Sequence, residues 1–155
     1  MSYYNIQTPI GPIGFEIAEN HVTAIDFNPS RRAEGIQTEL SLKVENEIIK
    51  YLTLESLTLD IPIKLNVTPF QKKVLESMKM IPYGHTISYQ ALAESIGIPK
   101  GSRAVGNACG ANPLPLYYPC HRVIKNDGGL GGFSGGLNIK EQLLLLESQK
   151  IKTIS

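Results

Sequence analysis

Ser88-Tyr89-Gln90-Ala91-Leu92-Ala93-Glu94-Ser95-Ile96-Gly97, followed after Ile98-Pro99-Lys100-Gly101 by Ser102-Arg103-Ala104-Val105-Gly106-Asn107-Ala108-Cys109, is the stretch on which the fold turns. A serine just ahead of a short apolar-periodic run is a helix N-cap, and Gly97 is the matching stop. The second run starts at Ser102 and closes near Asn112-Pro113. Two short helices joined by a glycine-containing turn predict a helix-turn-helix. The second helix is slim: Arg103 is its only charge, and Ala104, Gly106, Ala108 and Gly110 carry little bulk. Such a helix can press close to something narrow, or pack tightly in a core.

Working outward, Thr68-Pro69 marks another helix start, a cap followed by proline at the first helical position. Phe70, Val74, Leu75 and Met78 form its apolar face, and it should stop before Pro82. On the other side comes Tyr117-Tyr118-Pro119-Cys120-His121-Arg122-Val123-Ile124, where the chemistry is expected. Pro119 fixes its own φ and restricts Tyr118, so an extended, rigid backbone is expected to enter Cys120. An unperturbed thiol titrates at about 8.5 and needs a base to act as a nucleophile at neutral pH. His121 is the candidate base, and Glu141 the candidate carboxylate that orients it. Glu141 falls in the first turn of a final amphipathic helix predicted over 138–148, where the helix dipole favours a carboxylate in any case. Between the two lies a loop, 126–136, with six glycines that allow backbone to approach a ligand closely.

The first half reads differently. Short runs at 4–7, 13–18 and 22–27 alternate with period two and are separated by turn residues, which predicts an antiparallel meander. Leu40, Val44, Ile48, Ile49 and Leu52 recur at helical spacing, so 38–53 should be an amphipathic helix capped by Thr38. The run 57–61 alternates again and is expected to be a further strand. The fold class is therefore α+β, with a first domain over 1–62, a linker over 63–67 and a mainly helical domain over 68–155.

Composition sharpens the division. The formal net charge is +1, but residues 1–67 carry five Lys and Arg against nine Asp and Glu, whereas 68–155 carry ten against five. A basic half with net charge +5 suits a polyanionic partner. No apolar run approaches the roughly 20 residues that span a bilayer, and the first residues have no signal-peptide pattern, so a cytoplasmic protein without membrane association is expected. Cys109 and Cys120 are expected as free thiols. With His21, His85 and His121 they show no zinc-ligand spacing, so no metal and no cofactor are expected.

Four blocks in order carry a resemblance: Ile87-Ser88-Tyr89-Gln90-Ala91-Leu92-Ala93; Ser102-Arg103-Ala104-Val105-Gly106-Asn107-Ala108; Asn112-Pro113-Leu114-Pro115; and Pro119-Cys120-His121-Arg122-Val123 with Ser134-Gly135-Gly136 and Lys140-Glu141. From Thr68 onward the chain resembles the O6-alkylguanine-DNA alkyltransferases, the methylated-DNA–protein-cysteine methyltransferase family. The first half shares only the coarse pattern of a small sheet plus a helix. The resemblance implies a ribonuclease-H-like first domain and a second domain whose helix-turn-helix is of winged-helix type. It implies a monomer on double-stranded DNA that flips an alkylated guanine out through the minor groove and takes the alkyl group irreversibly onto Cys120. His121 would be the base through a bound water, with Glu141 orienting it, Tyr89 donating to guanine N3 and Asn112 bracing the turn before the active-site strand. The carbonyls of Cys120 and Val123 would take the exocyclic amine, Ser134 would sit near O6, and Pro115 and Phe133 would line the pocket. Arg103 would fill the space of the flipped nucleotide, with Ser102, Ala104, Gly106 and Lys100 against the DNA. Phe133 stands where many relatives have Tyr, and Cys109 where they have a bulkier residue.

Two other readings compete. A non-catalytic lesion-binding helix-turn-helix protein would lack the acceptor Cys that is present here. A Cys-His hydrolase needs a direct thiol-imidazole pair, which neighbours on an extended strand rarely make, since they point to opposite faces.

Overall fold

The computed structural model describes residues 1–131, 133 and 135–154, and divides into two compact units, Met1–Asn66 and Val67–Ser155. The first unit is a meander of β1 (Ser2–Thr8), β2 (Gly11–Ala18) and β3 (His21–Phe27), antiparallel in that order, followed by α1 (Glu39–Leu52). Glu19 and Asn20 join β2 to β3 with φ of 52° and 61°. Two consecutive positive φ values give a hairpin turn whose twist matches that of the strands. Tyr4, Ile6, Ile13, Phe15 and Ile25 share one face of the sheet by register, and Tyr4 stacks on Phe15 at 5.1 Å. On the other face Tyr3 lies across Gly14, where an added Cβ would fall 2.1 Å from the Tyr3 hydroxyl oxygen; that hydroxyl donates to Asp26 at 2.9 Å. Helix α1 begins as its sequence predicts, with Thr38 and Ser41 closing a reciprocal capping box.

One expectation for this unit is corrected. No strand forms over 57–61. Leu59 and Ile61 are buried as the alternation implied, but the Ser56 hydroxyl ties up the local backbone through the Thr58 amide and carbonyl, so no ladder forms. Pairing starts later, where the linker was placed: Ile63 bridges β3, with the Val22 amide donating to Pro62 O and the Lys64 amide to Val22 O at 2.8 and 3.1 Å. The two units divide after Asn66, within the 63–67 stretch read as the linker.

The second unit consists of α2 (Pro69–Met78), β4 (Ile87–Ser88), α3 (Tyr89–Ser95), α4 (Ser102–Gly110), a single 3-10 turn at Cys120–Arg122, β5 (Val123–Ile124) and α5 (Leu137–Ile154). Thr68 caps α2 through the Gln71 amide, and Ser88 caps α3 through the Ala91 amide. Gly97 takes a φ of +83° just after α3 and turns the chain toward α4. Helices α3 and α4 pack together, and β4 pairs in parallel with β5 through Ile87–Val123 and Ser88–Ile124. Val74, Leu75, Met78, Leu92, Val105, Leu114, Val123 and Leu143 form the core. Residues 117–122, expected to be extended, instead turn: the Arg122 amide donates to Pro119 O at 3.0 Å and the Val123 amide to Cys120 O. Pro119, with ψ at 68°, starts a turn rather than a strand. Among the described residues no helix is long and apolar enough to cross a membrane.

Candidate active site around Cys120

The turn carrying Cys120 is held from beneath by Asn112. Its side-chain amide donates to Tyr118 O at 2.9 Å and its carbonyl oxygen accepts the Leu114 amide at 2.9 Å. One side chain thereby joins the end of α4 to the turn. Cys120 itself is 5% exposed and sits in a hollow of about 370 Å³ whose walls include Tyr89 of α3, Gly106 and Cys109 of α4, and Phe133. That size takes a small planar ligand. A larger, open hollow of about 910 Å³ in the first unit, near Tyr4, Glu19 and Thr38, is lined by neither cysteine nor histidine.

Electrostatics around the thiol run in opposite directions. Burial pushes the Cys120 thiol up to about 11, against the pull of a hydrogen bond from Asn112 and the charge of Lys140. A thiol so placed reacts only when a base takes its proton as the bond forms. His121 is fully buried, and its Nε2 is bonded to a Glu147 oxygen. Burial holds the imidazole below its usual value despite that carboxylate, so it is neutral at neutral pH. A neutral ring facing a carboxylate carries its proton on the nitrogen that faces it. The lone pair is then on Nδ1, which among the described residues has no hydrogen-bond partner.

Glu147 is thus the orienting carboxylate, and the assignment of Glu141 is corrected. Glu141 is exposed on α5. Six residues along a helix rotate a side chain by about 240°, so 141 and 147 cannot share a face. The signal was present in the sequence, since Glu147 continues the buried stripe of Ile139, Lys140 and Leu143. Glu147 is 1% exposed and surrounded by donors: Arg122 Nε at 2.8 Å and the Gly84 amide at 3.1 Å on Oε1, and His121 Nε2 with Arg122 Nη2 at 3.2 Å on Oε2. Burial alone would raise its carboxyl, but His121 and Arg122 more than offset this and hold it at about 2.

The sign of the pH effect follows. A carboxyl depressed in the folded state adds stability that is complete above its unfolded value of about 4.3 and vanishes as pH falls toward 2. We expect the melting temperature to drop across that window, reflecting on the order of 3 kcal/mol. In Glu147→Gln the same window should show a visibly shallower drop; an equal slope in both proteins would assign the acid sensitivity elsewhere.

Lys140 was missed because a lysine in a helix normally reads as solvated. It is fully buried, its ammonium donating to Val123 O at 2.7 Å and to Leu130 O, which ties β5 to the glycine-rich loop. The Val123 carbonyl accepts the Lys140 ammonium and the Cys120 carbonyl the Val123 amide, and a carbonyl oxygen carries two lone pairs. Tyr89 is half-buried in the same hollow, and burial raises its hydroxyl pKa. Pro115 is buried and bridges Tyr118. Ser134 lies outside the described residues. Beside the hollow, α4 buries Val105, Ala108 and Cys109 and exposes Arg103, Ala104, Asn107 and Gly110. Ser102 and Gly106 are half-covered, and Lys100 is exposed ahead of the helix.

Residues 69–149 match the family described as 6-O-methylguanine DNA methyltransferase, DNA binding domain. The methylated-DNA–protein-cysteine methyltransferase of Methanosarcina acetivorans is 37% identical over 153 residues, which cover 95% of this chain and 98% of that protein. The regulatory protein ada of Salmonella typhimurium is 40% identical over 122 residues, 79% of this chain but 34% of that protein, so the chain spans about a third of it. Among solved structures, Mycobacterium tuberculosis OGT in complex with DNA superposes with a TM-score of 0.86 at 35% identity, covering 96% of this chain and 93% of that one.

Proposed function

The chain belongs to the methylated-DNA–protein-cysteine methyltransferase family, and from that premise we propose that it moves the methyl group of O6-methylguanine in duplex DNA onto the sulfur of its own Cys120. One observation carries the reading. Cys120 lies buried at a hollow beside the slim exposed face of α4, next to a neutral imidazole whose proton is fixed away from Nδ1 by Glu147. Among the described residues the thiol and the imidazole share no direct bond, which favours proton transfer through a water over a hydrolase-like pair. The thiol proton passes to His121 Nδ1, sulfur attacks the methyl carbon, and the carbon–oxygen bond breaks toward O6. The guanine anion is met by the Tyr89 hydroxyl at N3 and by donors near O6, a role assigned to Ser134 on the family resemblance. Lys140 steadies the thiolate as it forms. The product is a thioether, which none of these groups can cleave.

A guanine inside the stack must be turned out to reach this hollow. A helix of Ala and Gly fits a minor groove about 6 Å wide, with Arg103 filling the space of the extruded nucleotide and Lys100 and Ser102 flanking it. Tyr89, Cys120, His121 and Glu147 all come from one chain, as a protein acting as a monomer requires. The α3–α4 pair supports the helix-turn-helix of winged-helix type, and three antiparallel strands followed by a helix support the ribonuclease-H-like kinship of the first unit.

With O6-methylguanine duplex in excess, methyl uptake should stop at one per chain, all of it on the tryptic peptide containing Cys120. Continued turnover, or no uptake, would overturn the reading. Flipping is tested separately with Arg103→Ala. Losing even 1.4 kcal/mol of the offset to unstacking slows transfer from duplex roughly tenfold, while free O6-benzylguanine, with no stack to leave, should react at nearly the normal rate. Equal losses on both substrates would show Arg103 supporting the pocket instead.

A further inference from the structure

We propose that Lys125 is the binding site for a backbone phosphate of the nucleotide whose base occupies the Cys120 hollow, a role that rests on the function proposed above. Two hollows adjoin on this unit. One, of about 370 Å³, holds Cys120; the other, of about 420 Å³, lies between Ser102 and Arg103 of α4 and the turn Lys125-Asn126-Asp127. Tyr89, Gly106 and Lys125 line both. Tyr89 and Gly106 are uncharged. Lys125 is therefore the cation common to the two spaces, at the passage where a base enters with its sugar and phosphates still attached to DNA.

The turn beneath Lys125 is built rather than loose. The Lys125 amide donates to Gly129 O at 2.8 Å, the Gly128 amide returns to Lys125 O at 3.0 Å, and Gly128 takes a φ of +88° to close the turn. Asn126 Oδ1 accepts the Gln90 amide at 3.2 Å, which docks the turn on the first turn of α3. The lysine stem runs beside two glycines. A Cβ added to Gly131 would stand 3.3 Å from Lys125 Cγ, and one added to Gly129 3.5 Å from Cδ. The side chain is nonetheless 57% exposed, so its stem lies along the wall while the ammonium reaches outward. Among the described residues its ionic neighbour is Asp127 at 3.8 Å, itself 71% exposed. A pair that open is weak and gives way to a phosphate. A compact ammonium on a flexible stem suits a point contact to phosphate rather than the reading of a base edge.

Single-turnover transfer from O6-methylguanine duplex, measured over a range of salt, tests this with Lys125→Gln and Lys125→Arg. The Gln variant should be roughly fivefold slower at subsaturating protein, and its binding should lose about 0.9 from the slope of log affinity against log salt. Arg should restore both. Free O6-benzylguanine, which has no phosphate, should alkylate Cys120 at the normal rate in all three proteins. That arm separates the proposals, since failure of the unaltered protein to react with either substrate would overturn the proposed function itself. A Gln variant slowed equally on both substrates would make Lys125 a wall of the pocket. An unchanged duplex rate and salt slope would leave it a solvated lysine. Either result overturns the phosphate site.

Discussion

Cys120→Ser should take up no methyl group from O6-methylguanine duplex, a fall of at least about 10⁴-fold in single-turnover rate of the kind seen when a nucleophile is removed. A hydroxyl in this hollow is both a poorer nucleophile and a far weaker acid than the thiol, and burial that pushes the thiol up to about 11 acts on an alcohol in the same direction. Binding should survive. Cys120 is 5% exposed, and the surface expected to meet DNA is α4, with Arg103, Ala104 and Asn107 outward. The variant should therefore retain lesion duplex with an affinity within about twofold of normal, since no phosphate contact is lost. Cys109 sharpens the test, because it lines the same hollow. Its thiol is pushed up to about 12 by burial, and it faces the Met78 sulfur at 3.7 Å rather than a base. Peptide masses should accordingly show Cys109 unmethylated in Cys120→Ser, and Cys109→Ser should still transfer. Methyl on Cys109 would mean that the hollow, rather than His121, activates the sulfur.

The helix starts were legible because each rests on a local interaction that the sequence spells out. Thr38, Thr68 and Ser88 accept amides three residues on, and Gly97 adopts the positive φ that ends α3. The meander was legible for the same reason, through alternation and turn residues. What failed depended on partners distant in the chain. Residues 57–61 alternate as a strand does, yet the edge of β3 is taken by Ile63, and only the three-dimensional register decides between them. The nucleophile and its base could be read from Cys120-His121, but the carboxylate could not be chosen by closeness in sequence. Glu141 was the nearer acidic residue on α5, whereas helical phase selects Glu147. Lys140, quoted only as part of the motif, and Lys125 were given no role because lysine is ordinarily solvent-facing. One is buried against two carbonyls, and the other is laid along a wall that only the fold assembles.

That choice between carboxylates yields the second large effect. Glu147 is met by four donor atoms, Arg122 Nε and Nη2, the Gly84 amide and His121 Nε2. Glutamine offers one acceptor oxygen where the carboxylate offers two, so in Glu147→Gln its NH₂ must face donors on one side. Facing Arg122, it leaves a buried guanidinium without its countercharge, at a cost of about 3 kcal/mol or more. Facing His121, it forces the ring to turn acceptor at Nε2 and carry its proton on Nδ1, which removes the lone pair that receives the thiol proton. The first orientation keeps the base at a large cost in stability, and the second removes it; where the glutamine takes the second, transfer from duplex or free base should slow by about 10²-fold, the lower range for general-base catalysis. DNA affinity of the folded fraction should stay within about twofold, because the group is 1% exposed and no phosphate reaches it. Glu141→Gln supplies the contrast. An exposed residue on the outer face of α5 should change stability by less than about 0.5 kcal/mol and leave the rate unaltered. Single-turnover rates at a temperature where both variants are folded, checked by circular dichroism, decide the matter. A slow Glu141→Gln beside a normal Glu147→Gln would return the orienting role to Glu141 and remove the basis for placing the imidazole proton on Nε2.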